Sequence, residues 1–125
     1  MRKIIICISA VFAFALGSGS TLAASSIMRV IVIQTADLKG YIHEIETLRS
    51  QFKKAAIPVT VRAWNARFAG PDAGSIVVTV EMPDLATLAK VDEAQKTNAE
   101  ISATMQRIGA LRKILSDSLY EELSP

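Results

Sequence analysis

The chain has 125 residues, of which 50% are hydrophobic and 21% are charged. This length fits one domain and argues against two. The apolar content excludes a disordered chain, which would combine few apolar side chains with a high net charge. The 14 basic side chains exceed the 12 acidic ones by two, a small excess that by itself would favour anionic partners.

The N-terminal segment has the layout of a secretory signal peptide. Arg2 and Lys3 precede an apolar stretch over residues 4–16, and small residues follow over 17–24. The apolar stretch is shorter than the roughly 20 residues of a membrane-spanning helix, so an uncleaved anchor is the less favoured alternative. We therefore expect the protein to be periplasmic or secreted.

Small side chains place the cleavage site after Ala23. Thr21 and Ala23 then stand at the third and first positions before the cut, where small residues fit, and a cut one residue later is the second choice. The predicted organisation is a signal peptide over residues 1–23 followed by one domain over 24–125.

Cleavage changes both the charge and the cysteine content. It removes Arg2 and Lys3 and no acidic residue, which leaves 12 basic and 12 acidic side chains. Nucleic acid and anionic membrane surfaces are therefore not expected as partners. Cys7, the only cysteine, lies in the signal segment, so the exported domain forms no disulfide and has no thiolate metal site. Since His43 is the one histidine, we expect no metal site and no cofactor.

The first predicted elements are a strand and a helix. Residues 27–35 are rich in valine and isoleucine, which predicts a strand. Asp37 then caps a helix that ends by Pro58. His43 lies on the polar side of this helix, where a solvated side chain is favoured over a catalytic or ligand role. The apolar stripe of the helix is formed by Tyr41, Ile45, Leu48 and Phe52.

Residues 59–69 and 75–82 predict a β-hairpin, because glycines, a proline and an aspartate connect them. Placing Gly70 opposite Gly74 gives one apolar face, which helices should cover, and one mixed face. The apolar face then carries Arg62, Trp64, Ala66, Phe68, Ile76, Val78, Val80 and Met82. The mixed face carries Val61, Ala63, Asn65, Arg67, Ser75, Val77, Thr79 and Glu81. A shift of one residue would regroup the two strands.

Two helices and a last strand complete the domain. Asp84 caps the first of these helices, and Thr97 with Glu100 matches a capping box, so a new helix starts there after a break. Residues 114–123 predict the last strand. The order β-α-β-β-α-β, with the second helix broken in two, predicts a ferredoxin-like α+β fold with a four-stranded antiparallel sheet and helices on one face.

Five segments carry a family resemblance: residues 61–64, 69–71, 77–81, 83–85 and 116–120. In them the domain resembles the dimeric α/β-barrel superfamily, especially its NIPSNAP-like and antibiotic-biosynthesis-monooxygenase-like groups. The resemblance spans nearly the whole exported domain. It implies a homodimer whose two sheets face each other, with a pocket between each sheet and its helices or its partner. It implies little about function, because the superfamily hosts unrelated chemistries.

The resemblance also supplies candidate site residues. Haem-degrading members bring a histidine, an asparagine and a tryptophan together, whereas Trp64 and Asn65 are neighbours on one strand and point to opposite faces. Haem chemistry is therefore not expected. Cofactor-independent monooxygenases of this fold bind an aromatic substrate with tryptophan, asparagine, arginine and tyrosine, types that Trp64, Asn65, Arg67 and Tyr120 provide.

Each candidate has a structural alternative. Trp64 is expected more often in a helix-covered core than as a substrate platform. Arg67 and Glu81 form either an ion pair at a dimer interface or a pair that orients a ligand. No nucleophile constellation or phosphate-binding loop is present, so no catalytic residue is assigned. The candidate ligand-binding set is Trp64, Asn65, Arg67, Glu81 and Tyr120.

Two hypotheses about function remain. In the first, the dimer binds a small apolar or aromatic molecule at the sheet face, with or without an enzymatic step such as that of a cofactor-independent monooxygenase. In the second, the protein is a non-catalytic structural or interaction module and the mixed face is a dimer interface. A walled cavity of about 300 Å³ or more lined by Arg67 or Glu81 would favour the first hypothesis, and a wholly apolar, filled interface would favour the second.

Overall fold

The computed structural model describes residues 25–123, so the predicted signal peptide and Cys7 lie outside the described residues. The chain order is strand, helix, two strands, two helices and a strand. A one-turn 3-10 helix, Gly70–Asp72, lies in the connection between the second and third strands. The elements are β1 (Ile27–Gln34), α1 (Leu38–Lys54), β2 (Thr60–Asn65), β3 (Ile76–Met82), α2 (Leu85–Thr97), α3 (Ala99–Leu111) and β4 (Lys113–Glu121).

The four strands form one antiparallel sheet in the order β2-β3-β1-β4. The two central strands, β1 and β3, are those that the β-α-β-β-α-β order brings together, which confirms the predicted ferredoxin-like α+β fold. The helices cover one face of the sheet. The other face, which we call the open face, has no helix against it among the described elements.

Helix α1 forms where the apolar spacing predicts it. Its stripe of Tyr41, Ile45, Leu48 and Phe52 is buried, and the Asp37 side chain accepts a hydrogen bond from the backbone N–H of the third helical residue. Burying each such side chain contributes about 1.5–3 kcal/mol. The helix ends at Lys54, earlier than Pro58 required, because the chain turns through Ala56 with a φ of 55°.

The hairpin register differs from the prediction by an odd number of residues. Trp64 lies opposite Val77 and Val61 opposite Val80, so residues of β2 that were assigned to the helix face lie on the open face. Val61 is buried against the helices and Trp64 is not. The assignment of β3 was correct, since Val78 and Met82 belong to the core. The difference arises because β2 ends at Asn65 and a longer connection follows it.

The junction between α2 and α3 is a break, as predicted, but its cap is one residue later. Asn98 is the N-cap of α3, and its Oδ1 accepts hydrogen bonds from the backbone N–H groups of Glu100 and Ile101. The hydroxyl of Thr97 instead donates back to the carbonyl of Glu93 within α2. The predicted Thr97 capping box is therefore wrong, because Thr97 still belongs to the preceding helix.

Strand β4 lies at the edge of the sheet and all nine of its residues are exposed. It pairs only with β1, and its register shifts by one residue between Val32 and Ile33. The opposite edge, β2, is different, since Arg49 of α1 donates from Nε to the Val61 carbonyl at 2.5 Å. The Arg49 side chain thus partly covers the β2 edge of the sheet, while β4 is exposed to solvent on both sides.

Candidate functional site

The open face is a regular grid of side chains, because each strand pair places opposite residues on the same side of the sheet. Three rows cross all four strands. In the order β2, β3, β1, β4 the rows are Thr60–Glu81–Met28–Tyr120, Arg62–Thr79–Val30–Ser118 and Trp64–Val77–Val32–Ser116. The β1 column is apolar, and the columns beside it are polar except for Val77 and the Tyr120 ring, so the face is mixed in composition.

Trp64 lies at one end of this grid and is 49% exposed. Its indole Nε1 donates a hydrogen bond of 2.9 Å to Thr79 Oγ1, diagonally across the β2–β3 pair. Thr79 itself is 8% exposed. The prediction of a helix-covered Trp64 is therefore wrong, since its polar atom is satisfied on the open face and half of its ring is free to contact another molecule.

Arg62 and Glu81 form a second diagonal contact between the same strands. Arg62 Nη1 lies 3.8 Å from Glu81 Oε1, and both side chains are about half exposed. The predicted ion pair between Arg67 and Glu81 is wrong, because Arg67 follows β2 in the connection at the far end of the hairpin. Arg67 is seven positions beyond Thr60, the residue opposite Glu81, and seven residues along a strand span roughly 20 Å.

The five predicted ligand residues are divided by the fold. Trp64, Glu81 and Tyr120 lie on the open face. Asn65 lies opposite Ile76, on the helix side, and is exposed at the strand end. Arg67 is exposed in the connection. Glu81 and Tyr120 share a row with only Met28 between them, while Trp64 is two rows away.

A groove of about 430 Å³ lies at the Glu81–Tyr120 end of the grid. We call it the end groove. All four members of the first row contribute to its wall, together with two prolines and two further carboxylates. Its lining residues are Ser26, Ile27, Met28, Pro58, Thr60, Glu81, Met82, Pro83, Tyr120, Glu121 and Glu122. It is open to solvent in a single chain, and its charged side chains are all acidic.

A second, more enclosed space lies between the sheet and the helices. We call it the helix-side pocket. Its volume is about 40 Å³, and its wall is apolar except for Arg29, Gln95 and Arg112. That volume is far below the roughly 300 Å³ of a typical site for a drug-sized molecule, so an aromatic substrate does not fit there without rearrangement. The sequence patterns did not indicate these polar residues, because each stands alone on a different element.

Arg29 and Asp117 form an ion pair beside this pocket, the shortest among the described residues. Arg29 donates from Nε to Asp117 Oδ1 at 2.8 Å and from Nη2 to Oδ2 at 2.5 Å. The hydrogen bonds from Arg29 lower the pKa of the Asp117 carboxyl against the opposing effect of burial, and the charge of Arg112 adds to the lowering. The same pair raises the pKa of Arg29. Both groups are therefore held in their charged forms at neutral pH.

Within residues 25–123, the other candidate features are a metal site, a role for His43 and a membrane-spanning helix. That range contains no cluster of three or more histidine, cysteine, aspartate or glutamate side chains suited to a metal ion. His43 is exposed on α1, and its backbone carbonyl accepts from Thr47. None of the helices described combines the length and apolar character needed to cross a bilayer.

Two solved structures are similar to this chain, and the first of them shares its fold. A conserved protein of unknown function from Bacteroides thetaiotaomicron VPI-5482, described as a possible oxidoreductase, superposes with a TM-score of 0.58 at 13% identity, covering 80% of this chain and 100% of that chain. SnoaB, a cofactor-independent oxygenase from Streptomyces nogalater, gives a TM-score of 0.49 at 16% identity, covering 82% and 97%. No protein-family model matches the sequence, and neither does any curated protein. At 13% identity, the likeness to the Bacteroides protein concerns the fold alone and does not bear on the NIPSNAP-like resemblance.

Proposed function

We propose that the protein binds a small molecule with an apolar or aromatic body in the end groove, and that a second copy of the chain closes this groove by packing on the open face. The observation that carries the proposal is the coincidence of Glu81 and Tyr120 with a space of about 430 Å³. This volume lies within the ~300–1,000 Å³ range of small-molecule sites.

The composition of the groove defines the class of ligand. Met28, Pro58, Pro83 and the Tyr120 ring supply apolar surface for a hydrophobic body. Glu81, Glu121 and Glu122 supply only hydrogen-bond acceptors and negative charge at neutral pH. A ligand that carries an amine or another donor group therefore fits better than an anionic ligand of the same shape.

The open face supports self-association because its centre is apolar and lacks a cover of helices. Val30 and Val77 are partly exposed there beside Val32, which is 6% exposed, and the half-exposed rings of Trp64 and Tyr120 lie on the same face. Apolar surface of this kind is favoured at interfaces. A face-to-face dimer would convert the open end groove into a walled site, which is how dimerisation and binding would be linked.

Two aromatic probes of similar shape test the ligand class. We expect tryptamine, which is cationic, to give saturable binding in calorimetry and saturation-transfer NMR, and the anionic indole-3-acetate to bind at least about tenfold more weakly, a difference of about 1.4 kcal/mol. Glu81→Gln and Tyr120→Ala should both weaken tryptamine binding. Arg67→Gln and Asn65→Ala are matched controls outside the groove and should leave it unchanged.

Light scattering on residues 24–125 tests the dimer. We expect a mass of two chains at micromolar concentration, and Val30→Asp should shift it towards one chain, because it places a charge at the centre of the apolar column. A wild-type monomer would contradict the dimer. A dimer that binds neither probe would contradict the binding proposal and support the non-catalytic interaction module instead.

A further inference from the structure

The helix-side pocket has polar groups in a wall that is otherwise apolar. Arg29 comes from β1, Gln95 from α2 and Arg112 from the residue that caps the C-terminus of α3. The rest of the wall is formed by aliphatic, methionine and phenylalanine side chains of the core. Polar groups that converge from separate elements on one small space are a feature of ligand sites.

Among the three polar residues of the pocket wall, Arg112 has a buried donor atom without a hydrogen-bond partner among the described residues. Its Nε is buried and lacks a hydrogen-bond partner within residues 25–123. Its Nη1 lies 3.4 Å from the hydroxyl of the fully buried Tyr41, which is a long contact. A buried N–H donor on a charged group costs free energy when it is left unpaired, so an acceptor at this position would be stabilising.

The charges around the pocket would be balanced by one bound anion. Arg29 is neutralised by its bidentate contact with Asp117. Arg112 forms no ion pair within 4.0 Å among the described residues, although its charge acts on Asp117. Asp92 on α2 is the other nearby carboxylate; it is exposed, influences Arg29 and is not part of the wall. The pocket wall together with Asp117 therefore carries one uncompensated positive charge.

We propose that the helix-side pocket binds the carboxylate of a short aliphatic acid, with Arg112 Nε–H and the Gln95 amide as donors and the apolar wall around the carbon chain. The volume of about 40 Å³ is several times the ~10–15 Å³ that a cavity needs to hold one water molecule, and it restricts the ligand to a few heavy atoms. A carboxylate suits a guanidinium better than a spherical anion does, because its two oxygens match the planar donors. This site is separate from the end groove and does not depend on the proposed function.

NMR of the arginine side chains tests the proposal on the wild-type domain. The Nε–H cross-peak of Arg112 should shift saturably with sodium acetate and with sodium propionate. Sodium chloride at the same ionic strength and sodium benzoate, which exceeds the pocket volume, should leave it in place. No saturable shift with acetate, or an equal shift with chloride, would overturn the proposal.

Variants provide a second measurement. Arg112→Gln should weaken propionate binding about tenfold or more, since it removes a charge-assisted hydrogen bond. Arg67→Gln is the matched control, because it removes a positive charge from the exposed connection, and it should bind as the wild type does. Equal loss in both variants would show non-specific charge attraction and would also overturn the proposal. If Arg112→Gln fails to fold, the wild-type titration still decides the question.

Discussion

Arg29 holds Asp117 through two hydrogen bonds of 2.8 and 2.5 Å, which join β1 to the edge strand β4. The two residues are diagonal neighbours, since Arg29 lies opposite Leu119 and Asp117 opposite Ile31. Every residue of β4 is exposed. The strand therefore depends on its backbone ladder with β1 and on this bidentate contact rather than on burial under a helix.

Asp117→Asn should destabilise the domain by about 1 kcal/mol at neutral pH, a modest value because about a third of each side chain is exposed. The pKa of Asp117 is lowered in the folded state. Its stabilisation is therefore complete above the ordinary aspartate pKa of about 3.9 and is lost as the pH falls through the lowered value. Urea unfolding from pH 7 downward should show the two proteins converging in acid.

Glu81→Gln is the control for this experiment. It removes the longer, half-exposed contact with Arg62 and should cost less than about 0.5 kcal/mol. A difference between wild type and Asp117→Asn that stays constant down to the acid limit would contradict the assignment of the effect to the Asp117 charge.

Asn98→Ala should destabilise the domain by about 1 kcal/mol, because it removes the cap that accepts from two N–H groups of α3. Thr97→Ala should change the free energy of unfolding by less than about 0.5 kcal/mol, since its hydroxyl donates only to a carbonyl of α2. Thermal or urea unfolding measures both. A larger effect at Thr97 than at Asn98 would restore the capping box as the better description.

Gly40→Ala and Gly109→Ala should change stability in opposite directions. A Cβ on Gly109 meets no atom within 4 Å, so alanine should stabilise α3 by about 0.5–1 kcal/mol. A Cβ on Gly40 would collide with the Asp37 carboxylate and displace the 2.9 Å cap contact with its N–H. We expect Gly40→Ala to be destabilising by about 1 kcal/mol. Equal stabilisation in both variants, measured by calorimetry, would show that the Asp37 cap adjusts freely.

Trp64 is the only tryptophan, so its fluorescence reports on the open face directly. At dilutions that favour single chains, we expect red-shifted emission that acrylamide quenches readily, because half of the ring is exposed. Emission should shift to the blue and quenching should fall as concentration rises, if a second copy covers the face. Thr79→Val should move the emission by removing the acceptor of the indole N–H.

The outcome for Trp64 distinguishes the two faces of the sheet. Blue, quencher-resistant emission at every concentration would contradict its position on the open face. Emission that is red and fully quenchable at every concentration would support that position and count against the dimer. The two conclusions can therefore fail separately.

The sequence by itself determined the order of the elements, the stripe of α1 and the face of β3. Tyr41, Ile45, Leu48 and Phe52 could be assigned because their helical spacing permits only one common side. The break at Asn98 was also visible, though its cap was placed one residue early. These features depend on neighbours within a few positions in the chain, which is the range over which sequence patterns carry information.

Only the tertiary structure decided which side of β2 faces the helices and which residues share a site. An odd shift in pairing moves every side chain of a strand to the other face, and the pairing of Gly70 with Gly74 assumed from the sequence placed Trp64 on the wrong side. The joining of Glu81 with Tyr120, and of Arg29 with Asp117, depends on β1 lying between β3 and β4. Such contacts link residues far apart in the chain, so the local periodicity of the sequence does not specify them.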